Sequence, residues 1–214
     1  MLNRQIALLV YGVLWTMQIA HAQPTKSGFH WESEKVVTGW ERVDQSKSLS
    51  PTQRTLLTRA IAAQIRPWMS TIPVESEADL QTLVGQTQIK KVLLGKEGGG
   101  EFLASASGSY FCSPTGNCQV WVFRLHDNKY SLILQHPVTQ IFTIQSAITN
   151  GFHDLVLGQH GSATEEGLTW YQFDGSKYRR VACYDARFDF LGKDGEYHTR
   201  KVARLTPVIC SFRE

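Results

Sequence analysis

The chain has 214 residues, of which 22 are Lys or Arg and 19 are Asp or Glu, so its formal net charge at pH 7 is +3. A balance this small, with charges of both signs interspersed, does not predict nucleic acid or an anionic membrane surface as a partner. The length suffices for one domain with a hydrophobic core, or for one domain with a small extension.

The first 22 residues have the three-part pattern of a secretory signal peptide. Residues 1–4 carry a positive charge, 6–19 are largely apolar, and Ala20 and Ala22 are the small residues that signal peptidase reads. We predict cleavage after Ala22 and a periplasmic or secreted mature chain without stable membrane insertion. The alternative is a retained membrane anchor, but the apolar run of about 14 residues is shorter than the roughly 20 that span a bilayer.

Four cysteines follow the signal peptide: Cys112, Cys118, Cys183 and Cys210. An even number in an exported chain predicts two disulfides, for which three pairings are possible. The residues 113–117 read Ser-Pro-Thr-Gly-Asn and are typical of a turn, so we favour Cys112–Cys118 together with Cys183–Cys210. Zinc is the alternative, but the spacings do not form two short pairs and no His lies at ligand spacing beside them.

Residues 23–47 are predicted to be an N-terminal extension whose aromatic side chains are Phe29, Trp31 and Trp40. We expect these aromatics to pack on the main body, although aromatics near a mature N-terminus could instead form a ligand-binding surface. The remainder, 48–214, is predicted to be a single domain.

The clearest helix is predicted over 50–66. Ser50 is placed as the N-cap and Pro51 at the first helical position, where its missing N–H costs nothing. Apolar residues then recur at helical spacing, which predicts one face packed on a sheet, and Arg66-Pro67 ends the pattern. Residues 76–83 have a helix-like composition and predict about two further turns.

From residue 89 to residue 210, short runs of β-branched and aromatic residues alternate with turn residues. They predict about eight strands, a turn at 126–129, a hairpin connection at 174–177 and a polar inserted loop at 188–199. The predicted fold is therefore α+β: a mainly antiparallel sheet of about eight strands, one N-terminal amphipathic helix packed on it, and two disulfides.

Residues 150–158, Asn-Gly-Phe-His-Asp-Leu-Val-Leu-Gly, resemble the second half of an FG-GAP motif, the strand–loop–strand unit of integrin-type propellers. In that family an Asp-rich loop precedes Gly-x-x-Asp-Leu and binds calcium. Here 147–150 offer one carboxamide and no carboxylate, so the resemblance implies a degenerate calcium loop and a structural Asp154 that accepts N–H bonds from the loop. The order of elements over 102–184 also resembles exported bacterial proteins of uncharacterised function, which implies export and this fold class but no reaction.

The densest set of reactive side chains lies between 153 and 166, which we interpret as a candidate functional loop. Its residues are His153, Asp154, His160, Ser162 and Glu165, followed by Glu166. Strand geometry places His153 and Asp154 on opposite faces, whereas His160 and Ser162 are expected on one face. Gly161-Ser162-Ala163 lacks the Gly-x-Ser-x-Gly elbow of many hydrolases.

The other reactive side chains of this stretch do not predict a glycosidase site or a metal site either. Glu165 and Glu166 are adjacent, so in a strand their side chains point to opposite sides and do not flank a sugar substrate. His153 and His160 lack a third metal ligand. We therefore predict no catalytic residue, no metal site and no cofactor.

We interpret the chain as an exported, non-catalytic binding protein: an inhibitor, an immunity-type protein or an envelope-interaction module. Its expected partner is another exported protein or a cell-wall component. Two alternatives stay open. One is a cell-envelope hydrolase with a site around His160 and Ser162, and the other is a structural module with a degenerate FG-GAP-like calcium loop.

Overall fold

The computed structural model describes residues 29–71, 76–96, 100–191 and 197–210, and the side chains of these ranges except at 190–201. The predicted signal peptide and its cleavage site lie outside the described residues. Within them, no helix combines the length and the apolar character needed to span a membrane.

The described residues form ten strands in two antiparallel sheets of five strands each. In the first sheet the spatial order follows the chain: β1 (Glu41–Arg42), β2 (Gln88–Val92), β3 (Glu101–Ser105), β4 (Cys118–His126) and β5 (Lys129–Thr139). The second sheet has the same simple order: β6 (Ile141–Thr149), β7 (Phe152–Ser162), β8 (Glu165–Phe173), β9 (Tyr178–Leu191) and β10 (Tyr197–Val208). The antiparallel class is confirmed, with more strands than the eight or so predicted and with two sheets.

Two α-helices precede most of the strands. The first, α1 (Pro51–Ile65), begins where predicted: Gln53 N–H donates to Ser50 Oγ, and Ser50 N–H donates to Gln53 Oε1. A short 3₁₀ helix, Arg66–Trp68, continues it. The second, α2 (Glu77–Gln86), has a similar capping box at Ser76 and extends through Gly85. The further helical turns predicted over 76–83 are confirmed and form a second α-helix, beside the one N-terminal helix of the predicted fold class.

The helices and sheets stack in layers, each with an apolar interface. Leu57 and Ile61 of α1 pack with Phe102, Trp121 and Phe123 on one face of the first sheet. The alternate residues of the same strands face the second sheet; this second cluster includes Leu103, Val120, Val122, Leu155, Leu157 and Tyr171. Because the first sheet is covered on both faces, β4 is apolar at consecutive positions rather than alternating.

The N-terminal segment covers the outer face of the second sheet. The ring of Phe29 stacks on Trp170 at 4.8 Å and on Tyr184 at 4.5 Å between centroids. Trp31 is buried and its Nε1–H donates to Thr143 Oγ1 over 3.0 Å. Packing of the N-terminal aromatics on the main body is confirmed for these two residues.

Both predicted disulfides are present, Cys112–Cys118 and Cys183–Cys210. The second ties the middle of β9 to the residue two beyond the end of β10. In the chain-entropy account, a bridge across a separation of 27 residues destabilises the unfolded chain by about 3 to 4 kcal/mol.

The prediction of a polar loop over 188–199 is wrong for much of its length. Strand β9 continues to Leu191 and β10 begins at Tyr197, with Phe188 opposite Val202. Polar side chains do not prevent backbone pairing in this hairpin, so the polar composition did not predict where the two strands end. Residues 192–196 lie outside the described part.

Candidate functional site

The structure places the candidate loop residues in two strands rather than in a loop. His153, Asp154, His160 and Ser162 belong to β7, and Glu165 begins β8. Only Ala163 and Thr164 form the turn, because Ser162 pairs with Glu165. At about 3.3 Å per residue, the seven steps from His153 to His160 separate their Cα atoms by roughly 23 Å. The two histidines therefore do not belong to one site.

His153 is held by structural hydrogen bonds. Its Nδ1 lies 2.7 Å from the carbonyl oxygen of Gln145, and its N–H donates to the carbonyl oxygen of Leu94 over 2.8 Å. Its own carbonyl accepts a hydrogen bond from Tyr178 Oη at 2.8 Å. These contacts join β7 to β6, to the segment that follows β2 and to β9.

Asp154 is a buried carboxylate on the outer face of the second sheet. Its Oδ2 accepts hydrogen bonds from Trp170 Nε1 at 3.0 Å and from Gln172 Nε2 at 2.9 Å. The FG-GAP resemblance implied N–H donors from a loop; the donors are instead side chains of the neighbouring strand β8. One carboxylate oxygen is thus engaged within the sheet, whereas Oδ1 is buried without a hydrogen-bond partner among the described residues.

His160 and Ser162 are not joined by a hydrogen bond in the described part of the chain. The backbone of His160 is bound by the Asn117 side chain, at 2.7 Å from its N–H and 2.9 Å from its carbonyl. Ser162 Oγ accepts from the N–H of Thr164 at 3.3 Å. A register shift in the β7–β8 ladder separates the two residues, which alters the simple strand alternation assumed for them.

No three His, Cys, Asp or Glu side chains of the described residues lie close enough together to hold a metal ion. Glu165 is engaged in an ion pair with Arg187 over 2.7 Å. The stretch 153–166 therefore has neither an assembled nucleophile and base nor a ligand set.

A different feature has the properties of a binding site: a cleft of about 720 Å³, here called the β5 groove. Six of its lining residues belong to β5: Leu132, Ile133, Leu134, Gln135, Pro137 and Val138. Trp68 and the loop 110–113 form one part of its wall, and Tyr171 and 177–179 of the second sheet form another.

The groove follows the free edge of β5. Leu132 packs with the helix-side cluster, whereas Ile133 and Leu134 pack with the cluster between the sheets. A cleft that reaches residues from both faces of a strand must pass along its edge. In the described residues β5 pairs with β4 and with no other strand.

The backbone direction at this edge follows from the β4–β5 turn. Asp127 and Asn128, with φ of 48° and 55°, form a two-residue turn between the paired His126 and Lys129. The next pair of the ladder is Leu125 and Tyr130, and its backbone N–H and C=O groups therefore point away from each other. Consistently, Leu125 donates its N–H to the carbonyl of Gly100, away from β5.

By the same alternation, the N–H and C=O of Tyr130 and the N–H of Leu132 point to the free edge. A register shift between Val122 and Phe123 then places Ile133 as an extra residue directly after Leu132, where the regular alternation ends. The described part of the chain contains no hydrogen bond to either of these backbones beyond the β4 ladder. Among the described residues, the beginning of this edge therefore presents donors and an acceptor without protein partners.

Two aromatic side chains at the groove are unusually exposed, Trp68 at 45% and Tyr110 at 51%. Trp68 ends the 3₁₀ helix that follows α1. Tyr110 lies in a turn in which Cys112 N–H donates to Gly108 O over 3.1 Å, and the disulfide to Cys118 anchors that turn. Exposed aromatics on anchored backbone are typical of interface residues.

The charge of the β5 groove has one sign. None of its described lining residues is Asp or Glu, while Lys177 and Arg179 contribute two positive charges. Arg179 Nε is paired with Asp174 Oδ2 at 2.8 Å. Lys177 has no ion pair and no side-chain hydrogen bond among the described residues, so its charge is open to a ligand.

Sequence reasoning missed this groove because its parts are distant along the chain and Trp68 lies beyond the end of the helix predicted over 50–66. One signal was available: Pro137 lies in β5, and proline within a sheet is confined mainly to edge strands and bulges.

Comparison of the chain with family models, with curated proteins and with solved structures finds no match in any of the three. The resemblance to FG-GAP repeats and to exported bacterial proteins stays a prediction. The β5 groove is therefore interpreted from its own geometry and chemistry.

Proposed function

We propose that this chain is an exported, non-catalytic binding protein that holds a partner in the β5 groove. The observation that carries the proposal is the pair of exposed aromatics, Trp68 and Tyr110, beside an apolar cleft. Binding sites combine apolar lining with a few polar groups in this way. An inhibitor, an immunity-type protein and an envelope-interaction module all require such a surface.

Export is part of the same proposal. The two disulfides support an oxidising compartment, because structural disulfides persist in the periplasm and outside the cell. The predicted signal peptide at 1–22 agrees with that location. A periplasmic or secreted partner is accordingly expected, either another exported protein or a cell-wall component.

The chemistry of the groove favours binding over hydrolysis. The serine in the described lining, Ser113, is the candidate nucleophile. Its Oγ lies 2.8 Å from Thr115 Oγ1 rather than beside a base. The described lining contains no His and no carboxylate that would accept its proton.

The test is capture of a partner on immobilised, oxidised chain beginning at Gln23. Periplasmic extract and culture supernatant of the producing organism are passed over wild type and over Trp68→Ala/Tyr110→Ala. Interface aromatics of this kind contribute about 2 kcal/mol or more, so the variant is expected to lose at least about thirtyfold in affinity.

The matched control is Leu93→Ala/Ile148→Ala, which also removes two exposed apolar side chains, at 58% and 48% exposure, but outside the groove. It should capture the partner as wild type does. Equal capture by wild type and the Trp68/Tyr110 variant would exclude the groove as the binding site.

A further inference from the structure

Resting on the proposed function, we propose that the occupant of the β5 groove is an extended, acidic peptide segment of another exported protein. The segment adds to β5 as a sixth strand of the first sheet. Its apolar side chains contact Trp68 and Tyr110, and its carboxylates face the cationic side chains along the edge.

The first argument is the unpaired edge. Tyr130 presents an N–H donor and a C=O acceptor, and Leu132 an N–H donor, with no protein partner in the described residues. An added strand satisfies these three groups, which is how strand-addition complexes obtain affinity that does not depend on sequence.

The second argument is the continuity of the cleft. A neighbouring cleft of about 520 Å³ lies between α1 and the beginning of β5, and Leu132 lines both it and the β5 groove. Together they follow β5 from Lys129 to Val138. An extended segment of about ten residues has this length, and about ten residues is also the upper limit of ordinary strand lengths.

Two features of β5 limit how far the added strand pairs. The extra residue Ile133 interrupts the regular edge after Leu132, and Pro137 has no N–H to donate. Regular pairing is therefore confined to the beginning of β5, and the peptide beyond it interacts through side chains with the Trp68 and Tyr110 end.

The third argument is charge complementarity. The linings of the two clefts contain four cationic side chains, Arg59, Lys129, Lys177 and Arg179, and neither Asp nor Glu among the described residues. Three of them, Arg59, Lys129 and Lys177, form no ion pair within the described part. A segment with carboxylate side chains is the complementary partner.

A carboxylate-bearing lipid would also match the apolar lining and the cations. It would leave the backbone donors and the acceptor of Tyr130 and Leu132 unpaired, because an alkyl chain has neither group. The peptide accounts for all three observations.

The test starts from a display library of random peptides of about ten residues, selected against the oxidised chain beginning at Gln23. Selected peptides should be enriched in Asp and Glu together with apolar residues. A selected peptide is then synthesised in two N-methylated forms, in which alternate backbone N–H groups are blocked in one register or in the other.

In an added strand, every second N–H of the peptide points to β5. One N-methylated form should therefore lose at least about tenfold in affinity, while the other stays within about twofold. On binding of the unmodified peptide, hydrogen exchange of the Tyr130 and Leu132 amides should slow by about tenfold or more. Equal effects of the two forms, or unchanged exchange, would overturn strand addition.

A charge variant tests the acidic character. Lys177→Glu should weaken the acidic peptide by about tenfold at low salt, whereas the control Lys91→Glu, on the exposed surface of β2, should not. No difference between the two would overturn the acidic peptide as the occupant.

The same measurements separate this inference from the proposed function. Myristate is the probe for a carboxylate-bearing lipid. If no peptide is selected but myristate binds wild type and not Trp68→Ala/Tyr110→Ala, the peptide inference is overturned and the groove remains a binding site. If peptides protect β5 but capture of the natural partner is independent of Trp68 and Tyr110, the proposed function fails and strand addition stands.

Discussion

Nδ1 of His136 lies 2.8 Å from Tyr171 Oη, and this hydrogen bond joins β5 of the first sheet to β8 of the second. The two rings meet edge to face with their centroids 5.8 Å apart. His136 is only 2% exposed, and Tyr171 lines the β5 groove. The contact therefore links the interface of the sheets directly to the groove wall.

The first prediction concerns stability against acid. Burial, with a smaller contribution from the nearby charge of Arg180, lowers the pKa of His136 from 6.5 to about 4. The folded chain thus binds this proton less readily than the unfolded chain, so stability is fully present above pH 6.5 and falls as the pH decreases towards 4. The expected loss of unfolding free energy is about 3 kcal/mol.

Urea unfolding of wild type and His136→Gln at several pH values between 7 and 4 measures this effect. The Gln variant should lack most of the decrease, because it has no proton to take up. Identical pH slopes for the two proteins would contradict the assignment to His136.

The second prediction concerns Asp154. Replacing Asp154 with Ala removes the acceptor of the Trp170 and Gln172 hydrogen bonds and should lower the unfolding free energy by about 2 to 4 kcal/mol. Asp154→Asn keeps an oxygen at this place and should cost less. Denaturant unfolding measures both.

The control for this prediction is Ser162→Ala, which should stay within about 0.5 kcal/mol of wild type because its contacts are confined to an exposed turn. Both variants should capture the partner normally when folded. Loss of function at full stability would instead favour a role of the stretch 153–166 in activity.

The third prediction concerns calcium. Since Asp154 is engaged with Trp170 and Gln172, a chelator is expected to leave the melting temperature of the protein unchanged. Scanning calorimetry with and without EDTA provides the measurement. A lower melting temperature with EDTA, restored by added calcium, would support the structural module with an FG-GAP-like loop.

The fourth prediction separates the two disulfides by their roles. Cys183→Ala/Cys210→Ala should lower the unfolding free energy by about 3 kcal/mol and leave partner capture intact under conditions in which the variant is folded. The Cys112–Cys118 bridge closes a shorter loop, so its removal in Cys112→Ala/Cys118→Ala should cost only about 2 kcal/mol. This variant should nevertheless weaken capture, because the bridge anchors the Tyr110 turn.

Unfolding curves and the capture assay are compared for the same two preparations. The prediction fails if the Cys112/Cys118 variant captures the partner as wild type does. It fails equally if the Cys183/Cys210 variant loses capture while its unfolding curve shows a folded protein.

Features that depend on neighbouring residues could be predicted from the sequence. The start of α1 at Ser50-Pro51, the turn before Lys129 and the connection at 174–177 all follow from capping or turn chemistry within a few residues. The disulfide pairing also agreed, because one pair flanks a turn sequence. The placement of Asp154 and Leu155 on opposite faces of the second sheet also followed from strand alternation.

The division into two sheets depended on the tertiary structure. Strands β5 and β6 are separated only by Gln140, whose N–H donates to the carbonyl of Gly158, yet they belong to different sheets. A short connection between two apolar runs fits a hairpin within one sheet equally well. Long-range pairing of β6 with β7, not the local residues, decides between them.

By itself the sequence determined the secondary-structure class, the helix start, the turns and the covalent links, because each arises from contacts among residues near one another or from cysteine chemistry. Only the tertiary structure decided where a site could be. It brought Trp68 of the 3₁₀ helix and Tyr110 of the disulfide-anchored turn to one cleft, and it left the β5 edge without a partner strand among the described residues. Pro137 marks an edge strand or a bulge locally, but which strand edge remains free depends on how every other strand is paired.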